Sequence, residues 1–137
     1  MDPYLKRVLE SALIAFDTET VQGKCWTVQV SIEPGTAIVI RATQTKVLKL
    51  IADHVAKPGV VVALQGSLFD VAVLRQVGIN PVEIVDTLIM AYLLQTEPQG
   101  LKDLSFRHCG MIMSKYKDMV GEATRKKAVD YLIVNQR

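Results

Sequence analysis

At 137 residues the chain has the length of one domain that can bury a core, and with half of its residues hydrophobic it lies outside the range of disordered chains. Its longest apolar runs, such as "VVAL" and "LIMAYLL", are far shorter than the roughly 20 residues that span a bilayer. "MDPYLKRVLE" lacks the apolar segment of a signal peptide, so a soluble, cytoplasmic protein with no membrane partner is expected. The net charge of +2 is too small to argue for nucleic acid alone, yet residues 1–100 are net −2 and residues 101–137 are net +4. Cys25 and Cys109 have no CxxC or Cys/His spacing, which points to reduced thiols rather than a disulfide or a zinc site.

The stretch "ALIAF" predicts a buried first strand. "CWTVQVSI" alternates and is rich in β-branched residues, "EPGT" is a turn and "AIVIRA" a third strand, which together predict an antiparallel meander. From Thr43 the spacing becomes helical, with Val47, Leu48, Ile51 and Val55 on one stripe and "KPG" at 57–59 as the stop. "VVVAL" predicts a strand covered on both faces, followed by a helix over 67–77 that buries Leu68, Val71, Leu74 and Val77. "VEIVD" predicts a fifth strand, with Asp86 capping the helix "TLIMAYLL". "LKDLSFRHCG" predicts a helix ending at Gly110, and a less regular helical tail runs to Arg137. The layout is that of one α/β layered domain over 1–137 with a mixed five-stranded sheet, whose ligands collect at the carboxyl ends of central strands.

At that end of the first strand stand Asp17 and Glu19. Residues two apart on a strand share a face, which puts these carboxylates about 5–7 Å apart. Two like charges that close disfavour each other's ionisation unless a cation or proton lies between them. A plain strand end with both acids solvated is the other reading of the same residues. Asp70, early in the 67–77 helix, either favours the helix dipole or faces the crevice that holds Asp17 and Glu19. His54 and His108 sit near helix ends, where a structural role is expected, and Trp26 is read as core or sheet surface.

"FDTET" at 16–20 resembles the first motif of the DEDD 3′→5′ exonucleases, most closely the proofreading domain of bacterial and phage DNA polymerase I, with RNase D as a cousin. "LFDVAVL" at 68–74 looks like the second motif, while "VDTLIMAYLL" at 85–94 and "GLKDLSFRHCG" at 100–110 resemble the helices that follow it. The resemblance implies a ribonuclease H-like fold and a two-metal site for Mg²⁺ or Mn²⁺, hard cations that take oxygen ligands. It implies that Asp17 bridges both metals, Glu19 binds the one that activates water and Asp70 supports the second. It also implies contacts from Thr18, Thr20, Gln65 and Phe69 to the substrate. The implied substrate is a single-stranded DNA 3′ end, with RNA as the alternative, and the implied partners are a DNA polymerase or replication proteins.

Two departures stand against that pattern. Gly66 occupies the position where the family's second motif usually has Asn, with Gln65 beside it. The third motif, Tyr or His four residues before a last Asp, has no match, since Tyr131 stands four before Asn135 rather than an aspartate. The expected function is therefore a metal-dependent 3′→5′ exonuclease domain lacking its third motif at the C-terminal end. A degenerate ribonuclease H-like module that binds nucleic acid or a protein without cutting is the alternative.

Overall fold

In the computed structural model, which describes residues 1–94 and 99–113, the chain starts on a helix that its periodicity does not announce. Asp2 Oδ1 accepts from the Tyr4 and Leu5 N–H groups at 2.8 and 3.0 Å, and Pro3 fits the first turn because its missing N–H would be unpaired there anyway. This short α1 (Pro3–Val8) buries Leu5 and Val8. The order continues with β1 (Leu13–Val21), β2 (Lys24–Ser31), β3 (Ile38–Arg41), α2 (Thr45–Val55), β4 (Val61–Leu64), α3 (Ser67–Gln76), β5 (Glu83–Asp86), α4 (Thr87–Leu94) and α5 (Leu101–Cys109).

The fold is α/β with a mixed five-stranded sheet in the order β3-β2-β1-β4-β5, as the sequence implies. β1 is antiparallel to β2 and parallel to β4, and β5 is parallel to β4. Ile14 and Phe16 of β1, Val28 and Val30 of β2, Ile40 of β3 and Val62 and Leu64 of β4 are buried in one core. The same cluster takes in Leu48, Ile51 and Val55 of α2, Val73 and Leu74 of α3, and Leu5 and Val8 of α1. Each such side chain contributes about 1.5–3 kcal/mol when fully buried. Two compact units divide the chain, Met1–Thr87 and Leu88–Arg137. The first contains the sheet.

Several local expectations are corrected. β4 is not covered equally on both faces: Val62 and Leu64 are buried, whereas Val61 and Ala63 are half-buried. α3 does not bury the stripe through Leu68, which is 93% exposed; its inward side chains are Asp70, Val73 and Leu74. The Asp86 carboxylate, expected to cap the helix after it, has a role that expectation did not include, accepting from Gly66 and Ser67 N–H at the start of the helix before it. The helical tail, Tyr131 and Asn135 lie outside the described residues. Among the described residues no helix is long and apolar enough to cross a membrane.

Candidate active site

β1 pairs with β4 only through Leu13, Ile14 and Ala15, while its pairing with β2 runs on to Val21. The strand therefore projects past β4, and Asp17 and Glu19 lie on that projection. Alternation does the rest. Ile14, Phe16 and Thr18 are buried, whereas Asp17 and Glu19 are exposed on the opposite face, the shared face expected of residues two apart. Just after Glu19 the β1–β2 register shifts, so that Glu19 pairs with Thr27 and Thr20 with Cys25. Such irregularities bend a strand and re-aim its side chains.

Asp70, in the first turn of α3, is only 5% exposed. Its Oδ1 accepts the Thr18 hydroxyl at 2.7 Å, so α3 is tied to the residue between the two exposed carboxylates. Asp17 Oδ1 accepts from the Thr18 N–H at 2.9 Å. Although Glu19 is exposed overall, partial burial of its carboxyl raises it above the usual range, and the charges of Asp17 and Asp70 push it the same way. Burial also raises Asp70, helped by Asp17 and Asp86, while the Thr18 hydrogen bond pulls it down. The three carboxylates thus form one electrostatic neighbourhood. Among the described residues, however, no three His, Cys, Asp or Glu side chains are grouped so as to hold a metal ion.

The turn that launches α3 is braced by Asp86 and Thr87, a part that motif reading did not assign to them. Gly66, at the N-cap, has φ +80°, a left-handed conformation that only Gly and, less readily, Asn or Asp adopt without strain. That explains why Gly can stand where the family pattern has Asn. Asp86 Oδ1 and Oδ2 accept from Gly66 N and Ser67 N at 3.0 and 2.6 Å. The Thr87 hydroxyl lies 3.1 Å from the Leu64 carbonyl oxygen and also contacts Gln65 Oε1. At the far end of α3, Gln76 Oε1 accepts from Cys25 N at 2.8 Å and its Nε2 donates to the Gly23 carbonyl at 2.9 Å. The "DT" pair could have signalled the first brace; nothing local in the sequence signals Gln76.

The remaining candidates are placed as follows. Phe69, beside Asp70, is 61% exposed, and Thr20 and Gln65 are half-buried. Gln29 is the cross-strand partner of Asp17 and donates from Nε2 to Thr27 Oγ1 at 2.6 Å. Trp26 is half-buried at the register shift. His54 is buried, with Nε2 2.8 Å from the Ser11 carbonyl oxygen, a structural contact as expected. Cys25 and Cys109 are free thiols, and burial raises that of Cys25.

A family described as 3′-5′ exonuclease matches residues 1–130. The chain belongs to that family. No curated protein sequence matches it. Among solved structures it is similar to Brucella melitensis NrnC bound to pGG, at 26% identity and a TM-score of 0.67, over 89% of this chain and 67% of that one. NrnC with bound Mg²⁺ is similar at 25% identity and a TM-score of 0.66, over 90% and 66%. Escherichia coli RNase D, an exoribonuclease involved in structured RNA processing, shares the fold at 19% identity and a TM-score of 0.66, over 96% of this chain and 39% of that one. The chain thus spans about two thirds of the NrnC chains and about two fifths of RNase D. The family match agrees with the 3′→5′ exonuclease resemblance of the sequence motifs.

Proposed function

We propose that this 3′-5′ exonuclease domain hydrolyses phosphodiester bonds at the 3′ ends of single-stranded nucleic acid, with Asp17, Glu19 and Asp70 as its acidic centre and Mg²⁺ or Mn²⁺ as its cofactor. The observation that carries this reading is the placement of Asp17 and Glu19 on one exposed face at the end of β1, with Asp70 of α3 tied to the intervening Thr18 at 2.7 Å; the negative charges of Asp17 and Asp70 accordingly push the Glu19 carboxyl up. A site built with unbalanced negative charge is suited to divalent cations, and carboxylate oxygens are the hard donors these cations take. Asp17 and Glu19 would hold the metal from one strand face, with Asp70 assisting from α3. Bound there, a pair of such ions supplies an activated water and stabilises charge on the leaving 3′ oxygen.

The chain's own residues do the positioning. Thr18 holds the Asp70 carboxylate in place through its hydroxyl, leaving its neighbours Asp17 and Glu19 facing outward. Phe69, exposed beside Asp70, offers a ring on which a terminal base can stack, with Thr20 and Gln65 as polar contacts. The motif blocks favour DNA in a proofreading or processing setting beside a polymerase. RNA is the alternative substrate, and the similar NrnC was solved with pGG.

The non-catalytic reading is favoured by one observation: the described carboxylates do not group as a metal-ligand set. Shortening of 3′-labelled DNA and RNA oligonucleotides, with Mg²⁺ or Mn²⁺ and then with a chelator, tests the proposal. Metal-dependent loss of 3′ nucleotides that disappears in Asp17→Asn is expected. Binding without shortening under every condition would leave the binding module as the function.

A further inference from the structure

The β1–β2 connection is a two-residue turn between the paired Val21 and Lys24, and both of its central residues, Gln22 at φ +51° and Gly23 at φ +76°, lie in the left-handed region. That is the pattern of a type I′ turn, which suits Gly but not Gln. A non-glycine residue held there persists when its surroundings over-determine it. Here the surroundings are α3. The Gln76 side-chain amide accepts from Cys25 N and donates to the Gly23 carbonyl, gripping the backbone on both sides of Lys24. Two bonds from one planar amide fix direction as well as distance.

Six residues earlier on the same helix, about 9 Å along its axis, Asp70 takes the Thr18 hydroxyl. α3 is therefore fastened to the β1–β2 hairpin at two separated points; Glu19 and the register shift lie on β1 between Thr18 and the turn, and Asp17 immediately precedes Thr18. Without the second point, the far end of α3 would meet the hairpin through apolar packing such as that of Val73 and Leu74, which is not directional. Two points fix the angle at which Asp70 meets β1.

We infer that Gln76 is a positioning residue, which sets the placement of Asp70 relative to Asp17 and Glu19 by clamping the carboxyl end of α3 to the β1–β2 turn. The inference rests on the proposed acidic centre, but it is a statement about geometry that can be read without cleavage. Both side-chain bonds of Gln76 go to backbone groups, Cys25 N and the Gly23 carbonyl. Gln76→Ala removes both bonds; Gln76→Glu keeps the acceptor for Cys25 N but turns a carboxylate oxygen toward the Gly23 carbonyl oxygen, so it opposes the clamp as well.

The test uses the full chain and three substitutions, Gln76→Ala, Gln76→Glu and Ile51→Val, the last a mild core change on α2 that lowers stability and leaves both α3–hairpin bonds in place. All are compared below their melting range. Carbon-13 NMR reads the Asp70 side-chain carboxyl and the Thr18 methyl, and 3′-end shortening with Mn²⁺ gives kcat and KM. The expected result is that Gln76→Ala and Gln76→Glu each move both signals and Ile51→Val leaves them in place. Where the wild type cuts, kcat falls about tenfold in Gln76→Ala with KM little changed, and Ile51→Val retains its kcat. If the Asp70 and Thr18 signals in Gln76→Ala stay at their wild-type positions, or move equally in Ile51→Val, the positioning role is overturned. A wild type that cuts nothing while the signals respond as expected overturns the exonuclease reading and leaves the clamp standing.

Discussion

The Thr18 hydroxyl donates to Asp70 Oδ1 at 2.7 Å across 52 positions of sequence, in a place where both residues are buried. A carboxylate withdrawn from water needs such a donor, because an unsatisfied buried acceptor is expensive. The bond explains why a threonine rather than an apolar residue continues the inward row of Ile14 and Phe16.

Thr18→Val keeps the shape of the side chain and removes the donor. Stability should fall by about 1–3 kcal/mol, the range for leaving a buried acceptor unpaired, while Thr18→Ser should recover most of the loss. Urea unfolding of the two variants against wild type measures this. Equal midpoints for Val and wild type would show that Asp70 finds another partner.

Asp86→Ala strips two N–H groups at the start of α3 of their acceptor. The expected cost is about 1–2 kcal/mol, the range for losing a helix N-cap, and Asp86→Asn, which keeps one acceptor, should lose less. Amide hydrogen exchange localises the effect: Gly66 and Ser67 should exchange faster, whereas α2 should not. A loss spread evenly over both helices would mean that Asp86 acts on global stability rather than on this turn.

What the sequence could show and what it could not divide along physical lines. The strands and α2 were readable because alternation and helical spacing are local properties, as in "CWTVQVSI" and the Leu48, Ile51, Val55 stripe. The inward face of α3 was misread because counting apolar residues selects Leu68, whereas the structure buries the polar Asp70 by giving it Thr18. α1 has only six residues, too few for a stripe, although Asp2 and Pro3 carried its start signal. For the candidate site, the facing of Asp17 and Glu19 followed from their spacing. The braces did not, since Gln76 to Gly23 and Asp86 to Gly66 join residues that only the folded sheet brings together.

The Arg7–Glu33 pair gives a pH signature away from the site. Arg7 Nη1 and Nη2 donate to both Glu33 oxygens at 3.0 and 2.8 Å, and this bidentate bond holds the Glu33 carboxyl below its ordinary value and the Arg7 guanidinium above its own. A carboxyl lowered in the folded state contributes stability that is present above the unfolded glutamate value of about 4.3 and is lost as pH falls through the folded value. Glu33→Gln should therefore melt slightly below wild type at neutral pH, and the two melting curves should converge in acid. Both side chains are well exposed, so added salt should shrink the difference. A gap that widens on acidification would contradict the assignment.

Glu19 runs in the opposite sense, and this makes it the sharpest probe of the acidic centre. Its folded carboxyl is raised by burial and by Asp17 and Asp70, so the ionised form is disfavoured. The contribution of Glu19 is most favourable below the unfolded value of about 4.3 and declines as pH rises through the folded value. In metal-free buffer at neutral pH, Glu19→Gln should be as stable as wild type or more so, and Asp17→Asn should likewise leave the fold intact by relieving repulsion. A divalent cation reverses the ranking, because a ligand bound only by the folded state stabilises it by mass action, about 1.4 kcal/mol at ten times its dissociation constant. Mg²⁺ or Mn²⁺ should therefore raise the melting temperature of wild type by a few degrees and that of Glu19→Gln and Asp17→Asn by less. Calorimetric scans with metal and with chelator measure both halves. If either substitution lowers the melting temperature by several degrees without metal, Asp17 and Glu19 serve the fold rather than a ligand. An equal metal-induced rise in all three proteins would place the cation at another site.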